Sequence, residues 1–91
     1  ARRATAWDGA LERMRIASEA VTQSVEAHRI VARKYEGGLA AVVELLGAQA
    51  AETEAHLRHT HARYEAIVRA AELLQSLGLD PALLARWALE S

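Results

Sequence analysis

The chain is 91 residues long, which allows at most one small domain, and its formal net charge is −1. Acidic and basic residues are interleaved along it, which argues against a nucleic-acid surface or an anionic-membrane surface. The chain contains no cysteine, so disulfide and thiolate chemistry are excluded. Apolar residues make up 52% of it, but much of that is alanine, which buries little area. We therefore expect a marginally stable chain unless it associates with partners.

The first predicted helix covers about residues 5–35. Apolar or small residues recur through it at alternating steps of three and four, a heptad pattern typical of a helix that packs along another helix. The positions of this pattern are Trp7, Ala10, Met14, Ala17, Val21, Ser24, His28, Val31 and Tyr35.

A glycine pair ends the first helix. Gly37 and Gly38 follow Arg33 and Lys34, which suit the negative end of a helix dipole, and glycine readily adopts the left-handed conformation that closes a helix. We therefore predict a turn over residues 36–41, which forms the tip of a hairpin.

The second predicted helix covers about residues 41–77, and the short link forces it to run antiparallel to the first. Its predicted heptad positions are Leu39, Val43, Leu46, Ala50, Thr53, Leu57, Thr60, Tyr64, Ile67, Ala71 and Leu74. The pattern predicts an all-α fold: a long antiparallel two-helix coiled-coil hairpin with a short C-terminal helix.

Alanines lie beside these predicted heptad positions on both helices. They suit close approach by further helices, as in a ring, but alanine is also the best helix former and fills exposed positions. Both explanations stay open. These alanines are Ala20, Ala27, Ala32, Ala48, Ala51, Ala55, Ala62, Ala66 and Ala70.

A short helix is predicted over about residues 81–89, after Gly78. Asp80 is a good N-cap residue and Pro81 suits the first helical position. The helix would present Leu83, Leu84, Trp87 and Leu89 to the hairpin or to another chain.

The polar residues do not form a recognisable catalytic or metal-binding pattern. His56 and His59 share one helical face, but we expect solvent-facing histidines rather than a metal site. Glu65 and Arg69 have the spacing of an ion pair within one helix. We predict no catalytic residue, metal or cofactor, and hence no enzyme.

A series of short motifs runs from Lys34 onward over about 45 residues. These motifs are Lys34-Tyr35, Gly38, Glu44-Leu45-Leu46, Ala48-Gln49, Ala62-Arg63-Tyr64 and Leu77-Gly78. In this series the chain resembles, without an insertion, the TolC-type outer-membrane efflux proteins. The arm before Lys34 is similar to that family's descending helix.

The resemblance implies a homotrimeric parent protein, in which an outer-membrane β-barrel continues into a periplasmic α-barrel for efflux or type I secretion. Residues 1–91 would be a periplasmic hairpin fragment of it, located on the periplasmic side of the outer membrane. No apolar run approaches the roughly 20 residues that span a bilayer, so we expect no membrane span in this fragment. Separated from its neighbours, the fragment is expected to associate with itself.

The resemblance also implies site residues. Gly37, Gly38, Leu39 and Ala40 would form the tip that docks a periplasmic adaptor (membrane fusion) protein. Tyr35 and Glu44 would belong to the channel constriction or gate. The family often places a second acidic residue one turn after the first, whereas this chain has Gly47 there.

Two other functions fit the helical pattern. The chain could be the helical hairpin of the adaptor protein itself, although the flanking strands and Arg-Leu-Ser tip of that family are not visible. It could also be a free-standing helical dimerisation module without a transport role.

Overall fold

The computed structural model describes residues 2–90, and the side chains of all of these except residues 2–4 and 88. It forms three helices: α1 (Arg2–Glu36), α2 (Val42–Ser76) and α3 (Ala82–Glu90). The helices α1 and α2 pack against each other as a hairpin, and the described residues contain no strand. The predicted fold class is therefore confirmed.

The described residues divide into two compact units. Residues 2–14 and 61–90 form one, here called the terminal unit, and residues 15–60 form the other, here called the tip unit. The tip unit contains the turn between α1 and α2, and the terminal unit contains α3.

The heptad face predicted for α1 is the face that the structure covers. In the terminal unit Ala10 is fully buried, and Trp7 and Met14 are half-buried. In the tip unit the predicted positions from residue 17 to residue 31 are also half-buried. Only Tyr35 departs from the pattern, with 43% of its surface exposed.

The heptad face predicted for α2 is wrong over most of its length. Val43 is 70% exposed, Leu57 66% and Tyr64 68%, so these residues cannot pack on α1. The face that is covered consists of residues one or two positions before the predicted ones, and it is rich in alanine. Its members are Leu45, Ala48, Glu52, Ala55 and His59 in the tip unit and Ala62, Ala66, Ala70 and Leu73 in the terminal unit.

The reason is that α2 carries two heptad patterns on different faces. The small residues pack on α1, because a short side chain lets two helix backbones approach closely, whereas Val43, Leu46 and Leu57 are exposed on the other face. Among the side chains that the structure describes, the five buried apolar residues are all alanines, and no large side chain is fully buried. The alanines placed beside the predicted heptad face therefore supply most of the covered face of α2.

In the terminal unit α3 begins as predicted. The Asp80 carboxylate accepts a hydrogen bond from the backbone N–H of Ala82 at 2.9 Å, which is N-cap geometry. The Asp80 carbonyl accepts a second one from Leu83 N–H at 3.2 Å.

An ion pair joins α1 to α2 in the terminal unit. Arg13 Nε donates to Glu65 Oε1 at 2.9 Å, and Arg13 Nη2 donates to the same oxygen. Arg69, which has the spacing of an ion pair with Glu65, donates a hydrogen bond to Glu72 at 3.0 Å. The Arg13 hydrogen bond is the largest cause that lowers the pKa of Glu65, and the charges of Arg13, Arg69 and His61 lower it further.

Replacing Arg13 by Gln should therefore raise the pKa of Glu65 towards its ordinary value of 4.5. A carboxyl group whose pKa is lowered by folding stabilises the native state above its unfolded pKa. That contribution is lost as the pH falls through the folded pKa. As the pH is lowered through the folded pKa of Glu65, the free energy of unfolding should therefore fall less in the variant than in the wild type. An NMR titration of the Glu65 side-chain carbonyl carbon measures the shift.

Arg15→Gln is the matched control, because Arg15 is equally exposed but pairs with Glu19 at 2.5 Å. A Glu65 titration that is identical in the wild type and Arg13→Gln would contradict the assignment.

Candidate functional site

The turn after α1 is built by a glycine in the left-handed conformation. Gly38 has a φ of 77°. Its N–H donates to the Tyr35 carbonyl at 3.0 Å, and Leu39 N–H donates to the Lys34 carbonyl at 2.7 Å. These two bonds form a Schellman motif, which satisfies carbonyls at the end of a helix and reverses the chain sharply. Gly78 ends α2 in the same way, with the same φ.

Apolar side chains in and beside the turn are exposed to solvent. Leu39 is 82% exposed and Val42, at the start of α2, is 53% exposed. Ala40 is half-buried, and a Cβ atom added at Gly38 would meet nothing within 4 Å. The four residues predicted as a docking tip therefore lie together in one turn, and the structure adds Val42 to their exposed apolar surface.

The two predicted gate residues lie on either side of this turn. Tyr35 is in the last turn of α1, and its carbonyl takes part in the Schellman motif. Glu44 is exposed in the first turn of α2, where a negative charge suits the positive end of the helix dipole. Gly47 follows one turn later, and a Cβ atom there would meet open space.

The tip unit contains a polar cluster of His28, Glu52 and His56 that was not predicted from the sequence. His28 Nδ1–H donates to Glu52 Oε1 at 2.8 Å, and His56 Nε2 lies 3.6 Å from Glu52 Oε2. The His28 and Glu52 side chains are each 27% exposed, in agreement with the predicted place of His28 on the covered face of α1. His59 is also half-buried, whereas His56 and His61 are exposed.

Two signals in the sequence could have found this cluster. Glu52 and His56 are four residues apart, which is the spacing of an ion pair within a helix. In addition, His28 and Glu52 are equally distant along the chain from Ala40 in the turn, and the two arms of a hairpin bring such residues together.

Within residues 2–90, no group of three or more histidine or acidic side chains could hold a metal ion. Among the same residues, no helix combines the length and the apolar character needed to cross a bilayer.

The terminal unit contains an open apolar hollow of about 420 Å³ between its helices. Its volume lies in the range of small-molecule sites, but such sites usually include a few polar groups that orient a ligand, and no charged side chain lines this hollow. The lining residues are Trp7, Leu11, Ala66, Ala70, Leu73, Leu74, Leu83, Leu84 and Trp87.

No protein-family model matches the chain, and no curated protein or solved structure matches it either. The resemblance to the TolC-type family therefore depends on the matching motifs of the sequence alone.

The two glycines of the turn should respond differently to substitution. Gly38→Ala should lower the free energy of unfolding by about 1–2 kcal/mol, because Ala is strained in the left-handed conformation. Gly37 has no such φ, and a Cβ atom there would lie at ordinary contact distances of 3.6 and 3.7 Å, so Gly37→Ala should be neutral or slightly stabilising. Urea denaturation measures both; equal losses in the two variants would contradict the turn geometry.

The pair His28–Glu52 should contribute more to stability than an exposed ion pair. In a double-mutant cycle with alanine we expect a favourable coupling of about 0.5–1.5 kcal/mol, since each partner is largely covered. Arg15 and Glu19 are 55% and 60% exposed, and their coupling should not exceed about 0.5 kcal/mol. The idea fails if the exposed pair shows the larger coupling.

Proposed function

We propose that this chain is a periplasmic helical hairpin from a TolC-type efflux or secretion channel, and that its tip docks a periplasmic adaptor protein. The observation that carries the proposal is the exposed leucine in the turn: Leu39 is 82% exposed in a segment whose backbone is held by hydrogen bonds. A preorganised apolar side chain at a blunt end is a suitable anchor for another protein, because little conformational entropy is lost on docking.

The matching motifs support the same function. Tyr35 and Gly38 of the resemblance are also the residues that form the turn, and the fold is the hairpin that the family would contribute to an α-barrel. In the proposed parent, a homotrimer at the outer membrane, Glu44 would face the channel axis. Gly47 removes the second carboxylate of the family's constriction, so any acidic ring would contain one glutamate per hairpin.

The helices would form part of a conduit wall in this function. A wall of helices requires each inner member to contact a neighbour on two sides. The second heptad face of α2, which carries Val43, Leu46 and Leu57, supports this role because it leaves large apolar side chains open. The same face also favours the second candidate function, a free-standing module that associates through its helices.

Docking can be tested with a cysteine at Leu39, because the chain has no cysteine of its own. Leu39→Cys should crosslink to a cysteine at the hairpin tip of a co-expressed adaptor protein. In a full-length channel, Leu39→Asp should reduce adaptor binding at least about tenfold, since a charge replaces a buried apolar contact.

Leu89 supplies the matched control. It is 88% exposed but lies in α3, so Leu89→Cys and Leu89→Asp make the same chemical changes outside the turn. A folded Leu39→Cys chain that gives no crosslink, or gives no more than Leu89→Cys, would contradict the docking role.

A further inference from the structure

The outward face of α2 in the tip unit is a continuous heptad pattern, here called the ridge. It consists of Val43, Leu46, Ala50, Thr53, Leu57 and Thr60, and all of these residues are exposed. Leu46 is 57% exposed and Leu57 66%. The ridge follows alternating steps of three and four, and over its 18 residues it extends about 27 Å along the helix. This spacing is specific to a helical partner, because it places each side chain between residues of a facing helix.

We infer that the ridge binds the ridge of a second copy of this chain, with the two α2 helices antiparallel. This inference rests on the chain's own residues and holds whether or not the transport function is correct.

The first argument is that the ridge is self-complementary in the antiparallel direction. Reversing one copy sets Leu46 against Leu57 of the second copy, and Ala50 against Thr53 of the second copy. At the ends, Val43 meets Thr60 of the second copy, which has nearly the same shape. Large residues thus meet large ones and small residues meet small ones at every level, in a twofold interface where each contact occurs twice.

The second argument is the charge along both borders of the ridge. In the same alignment Glu54 lies opposite Gly47 of the second copy, so the acidic groups do not meet. On the other border Gln49 lies opposite His56 of the second copy, a pair that can form a hydrogen bond in either protonation state of the histidine. Antiparallel helices also bring opposite ends of their dipoles together. No like charges therefore face each other across the ridge.

The third argument is the small core of the tip unit. Within residues 15–60 Ala55, which is 8% exposed, is the only buried apolar residue, whereas the large side chains of the ridge remain exposed. Covering the ridge would bury Leu46 and Leu57, which the pairing of α1 with α2 leaves exposed.

The test begins with the oligomeric state of the purified chain in sedimentation-velocity experiments from about 1 μM to 1 mM, a range suited to a small interface. We expect a reversible dimer. Leu46→Glu should raise its dissociation constant at least about tenfold, because a carboxylate replaces an apolar side chain in the contact. Val25→Glu is the matched control: Val25 is 43% exposed in the same unit but lies on α1, outside the ridge. Circular dichroism verifies that both variants keep their helices.

Single cysteines then test the direction. Val43→Cys and Thr60→Cys chains, mixed and oxidised, should give the mixed disulfide at several times the yield of either homodimer, because these positions meet only in the antiparallel arrangement. A chain that stays monomeric, an equal effect of Val25→Glu and Leu46→Glu, or a preference for the Val43→Cys homodimer would each overturn the inference. A monomer that binds an adaptor hairpin through Leu46 would assign the ridge to another protein and overturn it as well.

Discussion

The packing of α1 on the alanine face of α2 is the contact on which the rest of the structure depends. Alanine contributes little buried area, but its small size lets two helices approach closely along many turns. Ala10, Ala55, Ala62, Ala66 and Ala70 are the buried apolar residues that result. Such an interface is geometrically specific but weak per residue, so the hairpin needs the sharp Gly38 turn and polar links such as Arg13–Glu65 within the terminal unit.

This choice of interface determines which residues are left for other molecules. If the larger residues of α2 had packed on α1, the hairpin would have had a core of larger side chains, and the alanine face would have been left exposed. Instead, Leu46 and Leu57 face outward, and Leu39 and Val42 stand open at the turn. Exposed apolar residues at regular spacing lower the solubility of an isolated chain. They are characteristic of helices that associate with other helices. The ridge and the turn are neighbouring surfaces of the tip unit, since Val43 of the ridge directly follows Val42 beside the turn.

The helices and the turn could be predicted from the sequence, because glycine, Asp80 and Pro81 act on the local backbone. Their effect does not depend on how the helices pack. The sequence also predicted the covered face of α1, where a single heptad pattern exists. For α2 it failed, because Leu46 and Ala48 belong to two heptad patterns of similar quality, and hydrophobicity favours the one with larger residues. Only the fit against α1 decides between them. The polar cluster of His28, Glu52 and His56 was missed for the same reason, since it requires the correct face of α2.

The ridge has two proposed uses, contact with a neighbour in a channel wall and association with a second copy, and they differ in the relative direction of the two hairpins. In a channel wall the hairpin tips must point the same way, because every tip has to reach an adaptor at one end of the conduit. Antiparallel pairing of α2 with a second copy places the two turns at opposite ends of the shared ridge, and it occupies the face that a wall neighbour would need. The two arrangements therefore compete for Leu46 and Leu57. In the proposed wall, the neighbouring helices would be present at very high effective concentration and would displace the second copy. For the chain alone, the self-complementary pairing is the one that covers the ridge.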